Sequence, residues 1–431
     1  MKKFEFCLEM FFKSSKIMDN YTYIVYKYIY YEGGFCMEAI TAFCLVLVSL
    51  TIGDVVSAKT KAFVPSVFVS AIIFIVGFWT FFPENIVDLA ALGTPLAQLG
   101  MLLLITHMGT MMSIKELAGQ WKTIVIALAG IVGICVGALA LGTVVFGWDT
   151  AVIATPPLTG GLVASIMMAD AATAKGLASL AVLAILMYVA QGFAGYPITA
   201  LMLKKEGKRL LSDFRSGKVT TSKVEEKTEN LPEQKSRFKI IPDLPEKYDT
   251  TYMIILRLGL VAWLAVQFTN LTHEVVSRYV ICLIFGVIAS ELGIVDRKPL
   301  NKSGSFGWLM TSLMAFIFAG LAKATPAMLA EMAVPLVGII IFGVIGMGIF
   351  SIIVGKLLGE SKEMSFSVSL TALYGFPPNY ILTEEAVKAL AETPEEKEFL
   401  MDKMLPKMLV GGFTTVTIAS VVIAGIFVNL I

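Results

Sequence analysis

Ten apolar stretches, each close to the ~20 residues that a helix needs to cross the hydrocarbon core of a bilayer, limit this chain more than any other feature. They lie near residues 38–56, 62–82, 92–113, 123–146 and 177–203, and again near 253–271, 278–295, 304–323, 332–357 and 407–430. Hydrocarbon offers no partner for a loose backbone, so each stretch is expected to be helical. A soluble core has no room for them. Hydrophobic residues fill 57% of the 431 positions and charged residues 16%, against about half and a quarter in soluble domains. The net charge of +1 gives no reason to look for nucleic acid or for an acidic partner; the partner implied is the lipid bilayer.

Chemistry carried by metals or cofactors finds no foothold. Cys7, Cys36, Cys44, Cys135 and Cys282 are scattered, without a CxxC pair, and the chain has only two histidines. Zinc, haem and disulfide frameworks are therefore not expected. No Gly-rich loop ending in GK[ST], no HExxH and no GxSxG occurs, so the chain is not expected to be an enzyme or to need a cofactor.

Residues 1–36 differ from the rest of the chain, being rich in Lys, Phe, Tyr and Ile without an apolar core or a signal-peptide cleavage site. Glu32-Gly33-Gly34 can be encoded by a purine-rich run resembling a bacterial ribosome-binding site just ahead of Met37, so translation is expected to start at Met37. The N-terminal membrane half then covers 37–203, a Lys/Glu/Pro-rich, solvated linker 204–250, and the C-terminal half 251–431. Lys59, Lys61, Lys115, Lys122, Arg297, Lys298, Lys302, Lys356 and Lys362 fall in the connections on one side, against Lys175, Arg278 and Lys323 on the other. By the positive-inside rule the first side, and the linker with it, is cytoplasmic. Five spans per half give the halves opposite topology.

Two apolar segments are not expected to span. Asp149–Ala171 is broken by Pro156-Pro157 and Gly160-Gly161, and Met364–Ala386 by Gly375 and Pro377-Pro378. Tandem prolines lack the N–H groups that a helix needs and clash with the preceding turn. Each segment precedes the last span of its half, and a Pro/Gly-broken apolar segment at matching places in two halves points to a transporter binding site. There, freed carbonyls can hold a cation while half-helix N-termini face an anion. The candidate residues are Thr155, Pro156, Pro157, Thr159, Gly160, Gly161, Ser165 and Asp170 in the first segment. In the second they are Tyr374, Gly375, Phe376, Pro377, Pro378 and Asn379, with Thr383 beyond. The resulting fold class is an all-α polytopic membrane protein of two inverted-topology five-helix halves, each with a re-entrant Pro/Gly-broken segment.

Ionisable residues inside spans are costly and tend to mark a pathway. His107, in the third span, is a candidate intramembrane relay or a neutral histidine bonded between helices; Asp170 either holds a cation or caps the fifth span. Asp54, Arg257 and Glu291 lie near span ends, where snorkelling or pairing is the ordinary state. Residues 384–407 read as a charged helical hairpin with a solvated surface.

With two five-span halves of opposite orientation, a cytoplasmic linker and a Gly-containing broken segment before each last span, the chain resembles the bacterial sodium/glutamate symporter family. It is similar, more distantly, to the sodium-coupled 2-hydroxycarboxylate transporters. Local support comes from Leu158–Gly161 (LTGG) and Tyr374–Phe376 (YGF). The resemblance implies a multi-pass protein of the bacterial cytoplasmic (inner) membrane, a homodimer, in which Na+ is the coupling ion and glutamate or a related amino acid or carboxylate the substrate. The Na+ site would lie within the two broken segments. Those families carry more GGxG-like motifs, whereas here the first break continues as Leu162–Ser165 (LVAS) and the second as Pro377–Asn379 (PPN). Two alternatives stand beside the symporter: an ion channel or passive pore, which could also use such segments as a filter, and a membrane-embedded subunit without transport activity.

Overall fold

A computed structural model of the chain describes residues 38–112, 114–216, 249–271 and 278–431. The expected leader, 1–36, and most of the expected linker lie outside the described residues. The first half contains α1 (Ala39–Lys59), α2 (Ser66–Thr80), α3 (Thr94–Thr110), α4 (Trp121–Phe146), a short pair α5 (Trp148–Leu158) and α6 (Leu162–Ala174), and α7 (Ala178–Arg215). The same order continues in the second half: α8 (Thr251–Leu271), α9 (Arg278–Glu291), α10 (Phe306–Ala319), α11 (Pro326–Leu357), then a short pair α12 (Lys362–Leu370) and α13 (Pro378–Leu390). The last helix, α14 (Pro394–Thr414), passes through a π-helical stretch, Thr415–Ala419, into α15 (Ser420–Phe427). Among the described residues there is no strand.

Helices α1, α4, α7, α8 and α11 are long and apolar enough to cross a membrane. Their outward faces stay apolar: Val334, Val337, Ile341, Ile345, Ile349 and Ile353 form an exposed ridge at three- to four-residue spacing along α11. Such a ridge is a liability in water and ordinary against acyl chains. This is an all-α, multi-pass membrane protein.

The axis of the molecule is the contact between α4 and α11. Membrane helices gain little from excluding one another from lipid, so close backbone approach through small residues does the work. Gly133 and Gly137 of α4 lie against Gly346 of α11, and a Cβ at Gly346 would overlap Gly133 O, as one at Gly133 would overlap Gly346 O. Gly109 of α3 meets Gly286 of α9 in the same manner.

Two expected boundaries move furthest: the helix of the last span begins at Pro394 rather than near 407, and the fifth span runs on past 203. The fifth span does not give way to a free linker at residue 204; α7 continues helically to Arg215. Leu203, Glu206, Gly207 and Leu211 are buried along one face of this extension, and Phe214 stacks on Phe399 of α14 at 4.6 Å. The charges of KKEGKR hide an amphipathic repeat that needs a neighbour to become visible. The extension is clasped to the C-terminal half. Arg215 donates to both carboxylate oxygens of Glu396 (2.6 and 2.9 Å), and Glu206 accepts from Ser361 Oγ (2.7 Å) and pairs with Arg209. The expected charged hairpin is present as α13 and the first turns of α14, but Glu396, Phe399 and Leu400 are buried rather than solvated. Nearby, Lys407 pairs with Glu360 at 2.6 Å and Lys122 Nζ donates to Leu358 O at 2.8 Å.

The span-end charges are paired. Glu291 bonds Arg297 at 3.0 Å, Arg257 donates to Gly293 O at 2.9 Å, and Asp54 bonds Ser66.

Replacing Gly346 by Leu is expected to cost at least the ~1–3 kcal/mol typical of overpacking, seen as loss of monodisperse protein or a lower thermal midpoint in detergent. Gly425→Leu, at a position with open space around it, serves as the unaffected control. Hydrogen bonds from Arg215 and from the Glu392 amide hold the Glu396 carboxyl down at about 2. Its contribution to stability is thus complete above the ordinary glutamate pKa, about 4.3, and is lost as pH falls from there toward 2. Glu396→Gln should flatten the fall in thermal midpoint across that window.

Candidate functional site

The short helices are where the chain departs from ordinary spans. At 1.5 Å per residue, α5 with 11 residues, α6 with 13, α12 with 9 and α13 with 13 reach about 13–20 Å each, too short to cross a bilayer alone. α5 enters beside the C-terminal residues, Trp148 Nε1 donating to Leu430 O at 3.1 Å, and α6 is joined to α7 by a tight turn. α12 starts and α13 ends beside the extension of α7, through Ser361–Glu206 and through Leu390, which covers Gly207.

Both breaks fall on glycine with left-handed backbone: Gly160 and Gly161 at φ 108 and 100, Gly375 at φ 65. The proline pairs do different things from one another. Contrary to the expectation that neither pair continues a helix, Pro156 and Pro157 lie within the last turn of α5, and the break comes after them at Thr159–Gly161. Their missing N–H groups deprive the carbonyls of Val152 and Ile153 of helical donors without ending the helix. Pro377 and Pro378 instead open α13, where a missing N–H costs nothing.

The two breaks meet. A Cβ at Gly160 would lie 2.5 Å from Ala372 O, next to the second break, and 3.3 Å from Val416 Cγ2. One at Gly375 would lie 3.0 Å from the same Val416 carbon, and one at Gly161 3.2 Å from Val416 O. Val416 sits in the π-helical stretch of the last helix, a local widening often found at functional sites. Thus the C-terminal ends of α5 and α12 and the N-terminal ends of α6 and α13 converge on one point, bringing together two partial negative and two partial positive poles.

Buried polar groups stand on the ends of these helices and on the π-helical stretch. Thr155 and Thr159 donate their hydroxyl protons to Ala151 O (2.6 Å) and Pro156 O (2.8 Å). Thr371 and Thr383 donate to Val368 O (2.5 Å) and Asn379 O (2.7 Å), and Thr415 to Gly411 O (3.1 Å). With each proton committed to a carbonyl, the hydroxyl oxygens present only lone pairs, the arrangement a cation requires. Asn379 Nδ2 donates to Met408 O at 3.0 Å, while its Oδ1 is a fully buried acceptor with no hydrogen-bond partner. Unsatisfied buried acceptors are rare, because each costs about 1–3 kcal/mol.

Other candidates fall around the junction or away from it. Tyr374 turns toward α7, its hydroxyl donating to Thr199 Oγ1 at 2.8 Å and its ring covering Gly195. Phe376 packs on Phe413 with ring centroids 5.7 Å apart. Ser165, in the first turn of α6, donates to Ala184 O at 2.9 Å. Asp170 is not part of the junction: it is exposed near the far end of α6, about 12 Å along the axis from Leu162. His107 is fully buried in the cluster formed by α3 and α8–α10; its Nδ1 accepts from the Leu300 amide at 3.3 Å, and the Asn301 side chain lies beside the ring. Phe306 lies between it and Tyr380, with centroids 5.3 and 5.4 Å away, so His107 borders the second break without entering it.

Gln191 is the residue that inspection of the segments alone missed. It is buried on α7, and with its amide nitrogen turned toward the first break it donates to Pro157 O (3.1 Å) and Leu158 O (3.2 Å). Its signal was a lone amide within an apolar span, a feature that marks interhelical bonding. Among the described residues no three His, Cys, Asp or Glu side chains stand close enough to hold a metal ion. An ion at the junction would meet neutral oxygens.

No protein-family model and no curated protein matches this chain.

Gln191→Leu leaves two buried carbonyls without donors, a loss of about 1–3 kcal/mol. It is expected to lower the thermal midpoint of the purified protein, whereas Gln267→Leu, at an exposed position on α8, should not.

Proposed function

We propose that the chain is a sodium-coupled symporter of a small organic anion, glutamate or a related amino acid or carboxylate, working by alternating access. The single observation that carries this reading is the meeting of two helix breaks at Ala372 and Val416, with the buried, unpartnered Oδ1 of Asn379 in the first turn of α13 beside the second break. Non-helical backbone at membrane depth persists where it lines a site or is buried in protein. Here it is lined with oxygens free to accept a cation, and the α6 and α13 N-termini offer partial positive charge for a carboxylate. In this reading the two halves form an inverted repeat and the α5–α6 and α12–α13 pairs are re-entrant, entering from opposite sides. Na+ is cargo and coupling ion at once, held by Asn379 and the break carbonyls. Residues 204–250 face the cytoplasm of a bacterium, and a place near the sodium/glutamate symporter family is part of the same proposal.

Proteoliposomes test it directly. Labelled glutamate, within a panel of amino acids and carboxylates, is expected to accumulate only under an inward sodium gradient; gradient-independent ionic current would make the protein a pore. Asn379→Ala and Gly160→Leu should abolish uptake with membrane insertion intact, and normal uptake by both would remove the site from the junction.

A further inference from the structure

One patch of charge outside the junction has no counter-charge among the described residues. The connection from α1 to α2 lies beside α7 just past its apolar stretch, with Lys204 Nζ donating to Lys61 O at 2.5 Å. Lys59, Lys61, Lys205 and Lys208 are exposed around that contact. Lys61 and Lys208 are near enough to Lys204 to repel its ammonium. The neighbouring acids are committed elsewhere: Glu206 to Arg209 and Ser361, Asp213 to Arg209, Glu385 to the Ser66 amide and Asp54 to Ser66. Among the described residues no carboxylate pairs with any of the four exposed lysines.

The depth and shape of the patch are set by the fold. Lys204 comes directly after Leu201-Met202-Leu203, so the lysines sit where hydrocarbon gives way to headgroups. Lys61 and Ala62 hold left-handed backbone, φ 51 and 52, a conformation side chains disfavour. The Lys204 bond and the bond from the Val64 amide to Thr60 Oγ1 (3.2 Å) maintain it. Phe63, next along, is 63% exposed, and an outward aromatic ring at this level acts as an interfacial anchor.

We propose that this surface binds the headgroup of an anionic phospholipid of the surrounding leaflet, with the phosphate among Lys61, Lys205 and Lys208 and Phe63 against the upper acyl chain. Lysines are compact, strongly hydrated charges without the planar fork that shapes a site for one small anion. A mobile headgroup held by several of them needs no such fork. Lysines at this position also bias the orientation of insertion, but an orientation signal alone gives no lipid preference once the chain is folded.

Native mass spectrometry of the purified full chain with phosphatidylglycerol or phosphatidylcholine decides the matter. Wild type is expected to retain phosphatidylglycerol preferentially and to lose that preference as salt rises. At about fivefold per charge, the triple variant Lys61→Gln, Lys205→Gln, Lys208→Gln should bind it about a hundredfold more weakly, while Lys397→Gln, on exposed α14 surface, should not change it. Equal retention of both lipids by wild type overturns the proposal, and this arm needs no variant to fold. Undiminished phosphatidylglycerol binding by the triple variant overturns it as well, and displacement by equimolar inorganic phosphate would reassign the patch to soluble anions.

Discussion

Backbone hydrogen bonding governs this structure, because a chain surrounded by hydrocarbon must satisfy every amide and carbonyl from within. Ordinary spans do so along their own axes. The α5–α6 and α12–α13 pairs cannot, since each is interrupted at glycines with positive φ. Their interruptions are therefore buried against each other and against Val416, where a side chain at Gly160 or Gly375 would leave no room. Gln191 supplies donors for two of the carbonyls left over. The close approach of α4 and α11 through Gly133, Gly137 and Gly346 holds the halves together around that junction. Glycine does two separate jobs here, opening the backbone at the breaks and removing bulk at the axis.

The chemistry of the junction depends on which protons are already spoken for. Thr155, Thr159, Thr371, Thr383 and Thr415 each donate to a backbone carbonyl, so none retains a proton for an anion. A carboxylate approaching these oxygens would meet lone pairs, and a cation would meet ligands. Anion affinity has to come from the amide ends of α6 and α13, whose positive poles share the point. On the symporter reading, the two charges then bind where one would repel the other's environment least, and a bound cation favours the anion beside it. Asp170, exposed at the distal part of α6, takes no part, which leaves the junction neutral before anything binds.

The architecture was legible from the sequence to a considerable depth. Each of the ten apolar runs falls on a helix, but among the described residues only α1, α4, α7, α8 and α11 are long and apolar enough to cross a membrane, the others being shorter or less apolar than expected. The proline and glycine breaks located both short pairs, because hydropathy and missing N–H groups are local properties. What stayed hidden depends on neighbours. The extension of α7 from 204 to 215 reads as solvated linker because its charges outnumber Leu210, Leu211 and Phe214, yet Phe399 stacks on Phe214 and Leu390 packs over Gly207. Pro156 and Pro157 read as a break because prolines disrupt helix interiors, but they stand in a last turn, after which Gln191 of α7 supplies donors to the end carbonyls Pro157 O and Leu158 O. The partnership of Val416 with both breaks left no trace in sequence at all, since valine in a span is what any span contains.

The two ends of the molecule are closed by different physics. Beside the α7 extension, charged groups link them: Arg215 with Glu396, Ser361 with Glu206, and Lys122 with Leu358 O. At the other end, the halves share indole bonds, Trp79 to Ala324 O at 2.7 Å and Trp148 to Leu430 O at 3.1 Å. Ionic contacts in reach of water lose little on separation, since solvent and salt replace much of what is broken. An indole at the edge of hydrocarbon must instead find a new acceptor or surrender most of a hydrogen bond. The charged contacts are accordingly the cheaper ones to break, and the packed glycine seam of α4 and α11 lies between the two ends.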